Sequence, residues 1–189
     1  ALKTKSGHIG FVGGVHNDLI KKFEAGYVAG AKAVKKNIKV DVTYIEESDL
    51  AGFGDPAGGK AAAVAVFDKG ADVVYHAAGG SGAGVFEAAA EAGDGNWAIG
   101  VDSDQYLTAP ADQQPRILTS MLKRVDVSVY STIEDFVNGE SKGGEVSAFS
   151  LENEGIAYAT SGGQLVDTDQ LDEFKQQIID GTIVVPDTP

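Results

Sequence analysis

The chain contains no cysteine, which excludes disulfides, thiolate metal ligands and a cysteine nucleophile and fits an oxidising or a reducing compartment equally. It also lacks any apolar run approaching the roughly 18 residues of a membrane-spanning helix. Its opening residues, ALKTKSGHIG, have no apolar core of the signal-peptide kind. These residues carry no targeting or lipid-anchor segment, an absence not to be read as cytoplasmic residence, since a chain that begins abruptly at a strand is compatible with a processed or truncated piece. Positive charge is scarce: 15 Lys and Arg stand against 28 Asp and Glu, a formal net charge of -13. That sign repels phosphate backbones and argues against nucleic acid or an anionic membrane surface as the main partner, and a small neutral or cationic ligand suits it better. Internal repeats and low-complexity tracts are absent as well.

What remains is enough to build a core: 189 residues, 43% of them hydrophobic, fit one large domain or a two-lobed unit. The order of patterns is regular. Ile9 to Val12 is a short apolar run ended by Gly13 and Gly14, and Leu19, Ile20, Phe23, Tyr27, Ala31 and Val34 then recur at helical spacing. Val40 to Ile45 alternates and is β-branched. Pro56 opens a helix over Ala57 to Lys69. Asp72 to Tyr75 predicts a strand, Gly82 to Ala92 a helix, and Trp97 to Val101 a strand. Four strands alternating with three helices predict an α/β fold with a parallel, doubly wound sheet. Beyond a proline-flanked crossover from Thr108 to Gln114, Ile117 to Met121 reads as strand. Val125, Val129, Ile133, Phe136 and Val137 then mark a helix that Gly139 ends. Val146 to Phe149 and Ile156 to Tyr158 read as short strands, and Asp169 to Ile179 as a last amphipathic helix stopped by Gly181.

The segment from Asp72 to Glu91, DVVYHAAGGSGAGVFEAAAE, followed by WAIGVDSDQ, brings two strand ends to one sheet edge. In open α/β sheets that edge is where ligands bind. Gly79, Gly80, Ser81 and Gly82 allow close backbone approach and free N–H groups at a helix start, suited to hydroxyl or phosphate oxygens. A plain tight turn uses the same residues, and the spacing is not the dinucleotide fingerprint. Gly54 to Lys60 matches G-x-x-x-x-G-K, but Ala61 replaces the Mg²⁺-binding hydroxyl of a P-loop and Pro56 removes a cradle donor. Asp102 and Asp104 suit a metal-binding D-x-D, an acid–base pair or a hydroxyl clamp, and also a capped turn. A nucleotide-processing enzyme using the Gly54–Lys60 loop or the Asp102/Asp104 pair is therefore an alternative. His8, His16 and His76 are scattered. Only His76 stands near the glycine loop, where a hydrogen-bonded core role suits it better than metal ligation. Lys123 and Arg124 put a basic group at a strand end, able to bond a ligand, to neutralise Asp102 or simply to face water. Phe53, an unpatterned aromatic among Gly52, Gly54 and Asp55, is a stacking platform for a flat ring or a cover for the sheet edge.

IGFVGG at Ile9, IKKFEAGYVAGAK from Ile20, FGDPAGGK from Phe53, VYHAAGGSGAGVFEAA from Val74, IGVDSDQ from Ile99, LTSMLKRVDVSVY from Leu118 and FKQQIIDGTIVVP from Phe174 together resemble the basic membrane protein family. These are PnrA- and TmpC-like substrate-binding lipoproteins of ABC transporters, and the resemblance runs through nearly the whole chain. It implies a type I periplasmic-binding-protein fold of two Rossmann-like lobes, the N-terminal one largely absent here. Residues 7–117 would form the second lobe, 118–145 would return to the first, and 146–189 would return to the second. It implies a receptor that is not an enzyme, needs no cofactor or metal, takes a purine nucleoside in an interlobe cleft and hands it to an ABC permease. It also implies an extracytoplasmic, lipid-anchored location. By the same resemblance Phe53 stacks on the base, Gly79 or Gly80 approaches the ribose, Asp102 accepts from the ribose hydroxyls, and Lys123 closes the polar end.

Overall fold

The computed structural model describes residues 1–140 and 143–189; Ser141 and Lys142, inside the stretch 118–145, lie outside the described residues. A six-stranded sheet runs in the order β2 (Lys39–Glu46), β1 (His8–Val15), β3 (Val73–Ala77), β4 (Trp97–Asp102), β5 (Ile117–Lys123), β6 (Ile156–Tyr158). All neighbours are parallel except β5 and β6. The chain winds one way from β1 to β2 and the other way from β3 onward, so the carboxyl ends of β1 and β3 flank a topological switch point. The expected α/β doubly wound sheet is what forms.

Alternation along the strands sorts the core. Ile9, Phe11, Val73, Tyr75, Ala77 and Val101 belong to the face that packs α1 (Asp18–Val34), with Ile20 and Ala31 against them. Val12, Val74, Ala98 and Ile117 face α2 (Pro56–Asp68) and α3 (Gly82–Ala92), whose Val66, Val85 and Phe86 fill the space. Asn17 starts α1 by accepting the Ile20 N–H at 3.0 Å. Asp55 starts α2 by accepting the Gly58 N–H at 2.9 Å, with Pro56 at the first helical position where no N–H is needed.

Two expectations need correction. Gly13 and Gly14 do not end β1, which continues to Val15. Their missing side chains make room instead, since a Cβ at Gly13 would meet the Tyr44 ring at 2.5 Å and one at Gly14 the Phe53 ring at 2.5 Å. Val146 to Phe149 form no strand; Val146 is 98% exposed, and among the described residues no strand pairs with this stretch. The stretch 118–145 begins inside the sheet, because β5 pairs with β4 through Leu122. What stands apart is α4 (Val125–Val137), a helix without a single buried residue.

The closest helix contact joins α2 and α3. A Cβ at Gly84 would collide with the Pro56 carbonyl oxygen and lie 2.6 Å from the Lys60 backbone nitrogen. Replacing Gly84 with alanine improves helix propensity by about 1 kcal/mol, yet overpacking against rigid backbone costs about 1–3 kcal/mol or more. The expected outcome is net destabilisation, read as a lowered urea midpoint with an unchanged slope; a raised midpoint would contradict the packing.

Candidate functional site

Every residue singled out for ligand contact lies along the carboxyl edge of the sheet. After β2, a short 3-10 turn over Leu50–Phe53, capped by Asp49 through the Ala51 N–H at 2.8 Å, folds back over the ends of β1 and β3. Phe53 is half-buried and leans on the cluster of Phe11, Tyr75, Ala77 and Val101. Gly14 lies beneath its ring, and the Gly79 position opens toward it, a Cβ there being 3.4 Å from Phe53 Cβ and 3.6 Å from Cδ1. Gly79 has φ 54, in the left-handed region that glycine enters without a Cβ clash. Its neighbour Gly80 comes close to the Phe53 carbonyl, whose oxygen would lie 3.2 Å from a Cβ at that position. Phe53, Gly79 and Gly80 therefore form one group, at the switch point.

The second group is on the next strand ends. Asp102 closes β4 and Lys123 closes β5, and their side chains meet as an ion pair at 2.8 Å, 47% and 53% exposed. An ion pair this wet contributes about 0–1 kcal/mol to stability, so it opens at little cost. Asp102 has φ 68. A non-glycine residue pays about 1–2 kcal/mol there, less for Asp, and such strain concentrates where a side chain must be aimed. Asp102, Asp104, Leu122, Lys123, Arg124 and Asp126 line an open depression of about 540 Å³. Its charges are mixed in sign, and Arg124 grips Asp126 through its Nε and Nη2, the latter at 2.7 Å. That guanidinium holds the Asp126 carboxyl below its ordinary value. Oxygens that both donate and accept, as sugar hydroxyls do, match such a lining better than a phosphate would. Phe53, Gly79 and Gly80 are outside the depression, toward β1.

Other candidates are committed elsewhere. Lys60, the lysine of the near P-loop, lies within α2 and pairs with Glu87 at 2.8 Å and Glu91 at 2.7 Å. Asp104 accepts the Ser161 hydroxyl at 2.6 Å; among the described residues no cluster of three or more metal-ligating side chains occurs. His76 is fully buried beneath the glycine loop, its ring edge-on to Phe86 at 5.1 Å, and neither ring nitrogen meets a partner among the described residues. Core placement is as expected, and the hydrogen bonds are not. His16, not singled out for the site, is the histidine at this edge, 3.0 Å from Glu47. Sequence reasoning also missed Gln105, whose side chain accepts the Val101 N–H at 2.8 Å and whose own N–H reaches Ser120 Oγ at 3.2 Å, holding the turn after Asp102.

A family model described as ABC transporter substrate-binding protein PnrA-like matches residues 1–189. The nucleoside-binding protein BmpA of an ABC transporter from Lactococcus lactis subsp. cremoris is 38% identical over 98% of this chain and 55% of its own length. The CD4+ T-cell-stimulating antigen of Listeria monocytogenes is 35% identical over 100% of this chain and 55% of its own. A solute-binding protein of an ABC transporter system from Conexibacter woesei superposes with a TM-score of 0.77 at 23% identity, over 97% of this chain and 58% of that one. The sheet is thus that of the type I periplasmic-binding-protein fold. The chain spans about half the length of the curated relatives it matches.

Proposed function

The chain belongs to the PnrA-like family of ABC transporter substrate-binding proteins, whose members bind solutes and are not enzymes, and from that premise we propose that it carries half of a nucleoside receptor. The ligand is a purine nucleoside, taken between this lobe and an N-terminal one and passed to an ABC permease outside the cytoplasm, where a lipid anchor holds the receptor to the membrane. Residues 7–117 with β5 and the C-terminal stretch make up this lobe. The helix α4 reaches into the other. In support, Ile133 is 58% and Phe136 72% exposed on a helix that otherwise offers an apolar stripe to water, which is the signature of a missing partner surface.

What carries the ligand assignment is the succession along one sheet edge of an aromatic ring, a glycine loop, a carboxylate and a lysine, on the turn after β2 that folds over β1 and on the ends of β3, β4 and β5. Phe53 offers a face to a planar base, Gly79 and Gly80 let the ribose approach the backbone, Asp102 accepts from its two hydroxyls, and Lys123 donates at the polar end. The relative from Lactococcus is named as nucleoside-binding, which agrees.

Isothermal titration of the complete protein with adenosine, guanosine, inosine, riboflavin and free sugars tests this. One-to-one binding of purine nucleosides is expected. In the Phe53→Ala variant affinity falls by about 5- to 150-fold, the worth of one stacked base. Binding of another ligand class with none for nucleosides would overturn the assignment.

A further inference from the structure

We infer that Ser81 is a positioning residue that fixes Phe53 over the switch point; this rests on the reading of Phe53 as the stacking ring. Ser81 stands at the N-cap of α3, where a serine side chain ordinarily accepts an amide proton from the helix's first turn. Here it makes no capping bond. Its hydroxyl, in a residue with no exposed surface, donates instead to the Gly52 carbonyl at 2.7 Å and accepts the Asp55 N–H at 2.8 Å.

Those two backbone groups bracket Phe53, with only Gly54 besides in the span. Both flanks are pinned further. Gly52 is buried against the Gly14 carbonyl, which a Cβ would strike, and the Asp55 carboxylate is occupied in capping α2. One hydroxyl thus ties the aromatic loop to the glycine loop that faces the same ligand edge. A ring held in place before the ligand arrives spends none of the binding energy on its own ordering. Ser81 therefore acts on affinity through Phe53 and touches no ligand itself.

The test is a double-mutant cycle in the complete protein together with hydrogen–deuterium exchange of the ligand-free form. Ser81→Ala is expected to raise the Kd for the tightest-binding purine nucleoside about tenfold, and to speed exchange in a peptide spanning residues 50–56 about tenfold while β3 stays protected. In Ser81→Ala/Phe53→Ala the Kd matches that of Phe53→Ala within about twofold, because both changes remove one interaction. Losses that simply add, or unchanged exchange over 50–56, overturn the inference. If Ser81→Ala does not fold, Ser81→Cys replaces it in the same cycle, with smaller shifts expected in the same direction. If the unmutated protein takes no nucleoside, the ligand reading falls, and the exchange data alone decide whether the serine ties the loop.

Discussion

Replacing Asp102 with asparagine in the complete protein is expected to raise the Kd for a purine nucleoside by about 100-fold or more while leaving thermal stability within a degree or two. The affinity loss follows from the chemistry proposed for the pair of ribose hydroxyls. Each charge-assisted hydrogen bond contributes about 1.5–3 kcal/mol, and an amide oxygen recovers only part of two of them. The small stability effect follows from exposure: the pair with Lys123 is about half in water on both sides, where such bridges contribute about 0–1 kcal/mol. Asparagine is the right replacement because the backbone at position 102 has φ 68, which Asn tolerates and a β-branched residue does not. Asp102→Gly sharpens the point, since relief of that backbone is expected to raise stability by up to about 1 kcal/mol while binding is still lost. Titration calorimetry and a thermal melt on the same samples check both halves. Full nucleoside affinity in Asp102→Asn would remove the residue from the site.

The separation of binding from stability reflects how the two edges of the sheet are used. At the amino edge, Asp72 is spent on the chain itself, accepting from the Thr4 hydroxyl at 2.5 Å and from the N–H groups of Lys5 and Ser6 at 2.7 and 2.8 Å. Burial alone would raise its pKa, and those donors hold the carboxyl below its ordinary value. At the carboxyl edge, Asp102 has an exposed lysine as its one side-chain partner among the described residues, which a ligand can displace.

Much of this was legible in the sequence, for identifiable reasons. Strand and helix periods located every element of the doubly wound sheet, and the chemical oddity of Phe53 among glycines and of Asp102 at a strand end marked the two groups that share the edge. Position-specific contacts were not legible. Gly13 and Gly14 look like terminators because a local pattern cannot know that the Tyr44 and Phe53 rings need their space. Val146 to Phe149 have a strand's composition but no neighbour to pair with. Ser81 reads as one more small residue in a glycine turn, because its partners Asp55 and Gly52 are 26 and 29 residues away. Lys60 looks like a phosphate-binding lysine until α3 brings Glu87 and Glu91 to it.

Acid should weaken the fold through His76. Burial pushes this imidazole down to about 4, against the smaller opposing effects of Gln105 and the Asp102 charge. Above pH 6.5 the ring is neutral whether the chain is folded or not, and it adds no pH dependence. As pH falls from 6.5 toward 4, the unfolded chain takes up a proton that the folded one refuses, so stability is lost across that window and reaches about 3 kcal/mol below it. The packing explains the refusal: a Cβ on Gly82 would strike the ring, Phe86 lies edge-on to it, and no acceptor among the described residues is placed to receive a second N–H. In a His76→Gln variant, which cannot titrate, the stability difference from the unmodified protein should therefore shrink by about 3 kcal/mol between pH 7 and pH 4, because the carboxylates common to both cancel. Urea midpoints at several pH values measure the difference, and an NMR titration of the His76 ring measures its cause. A ring that titrates near 6.5 would remove His76 as the source of any acid sensitivity.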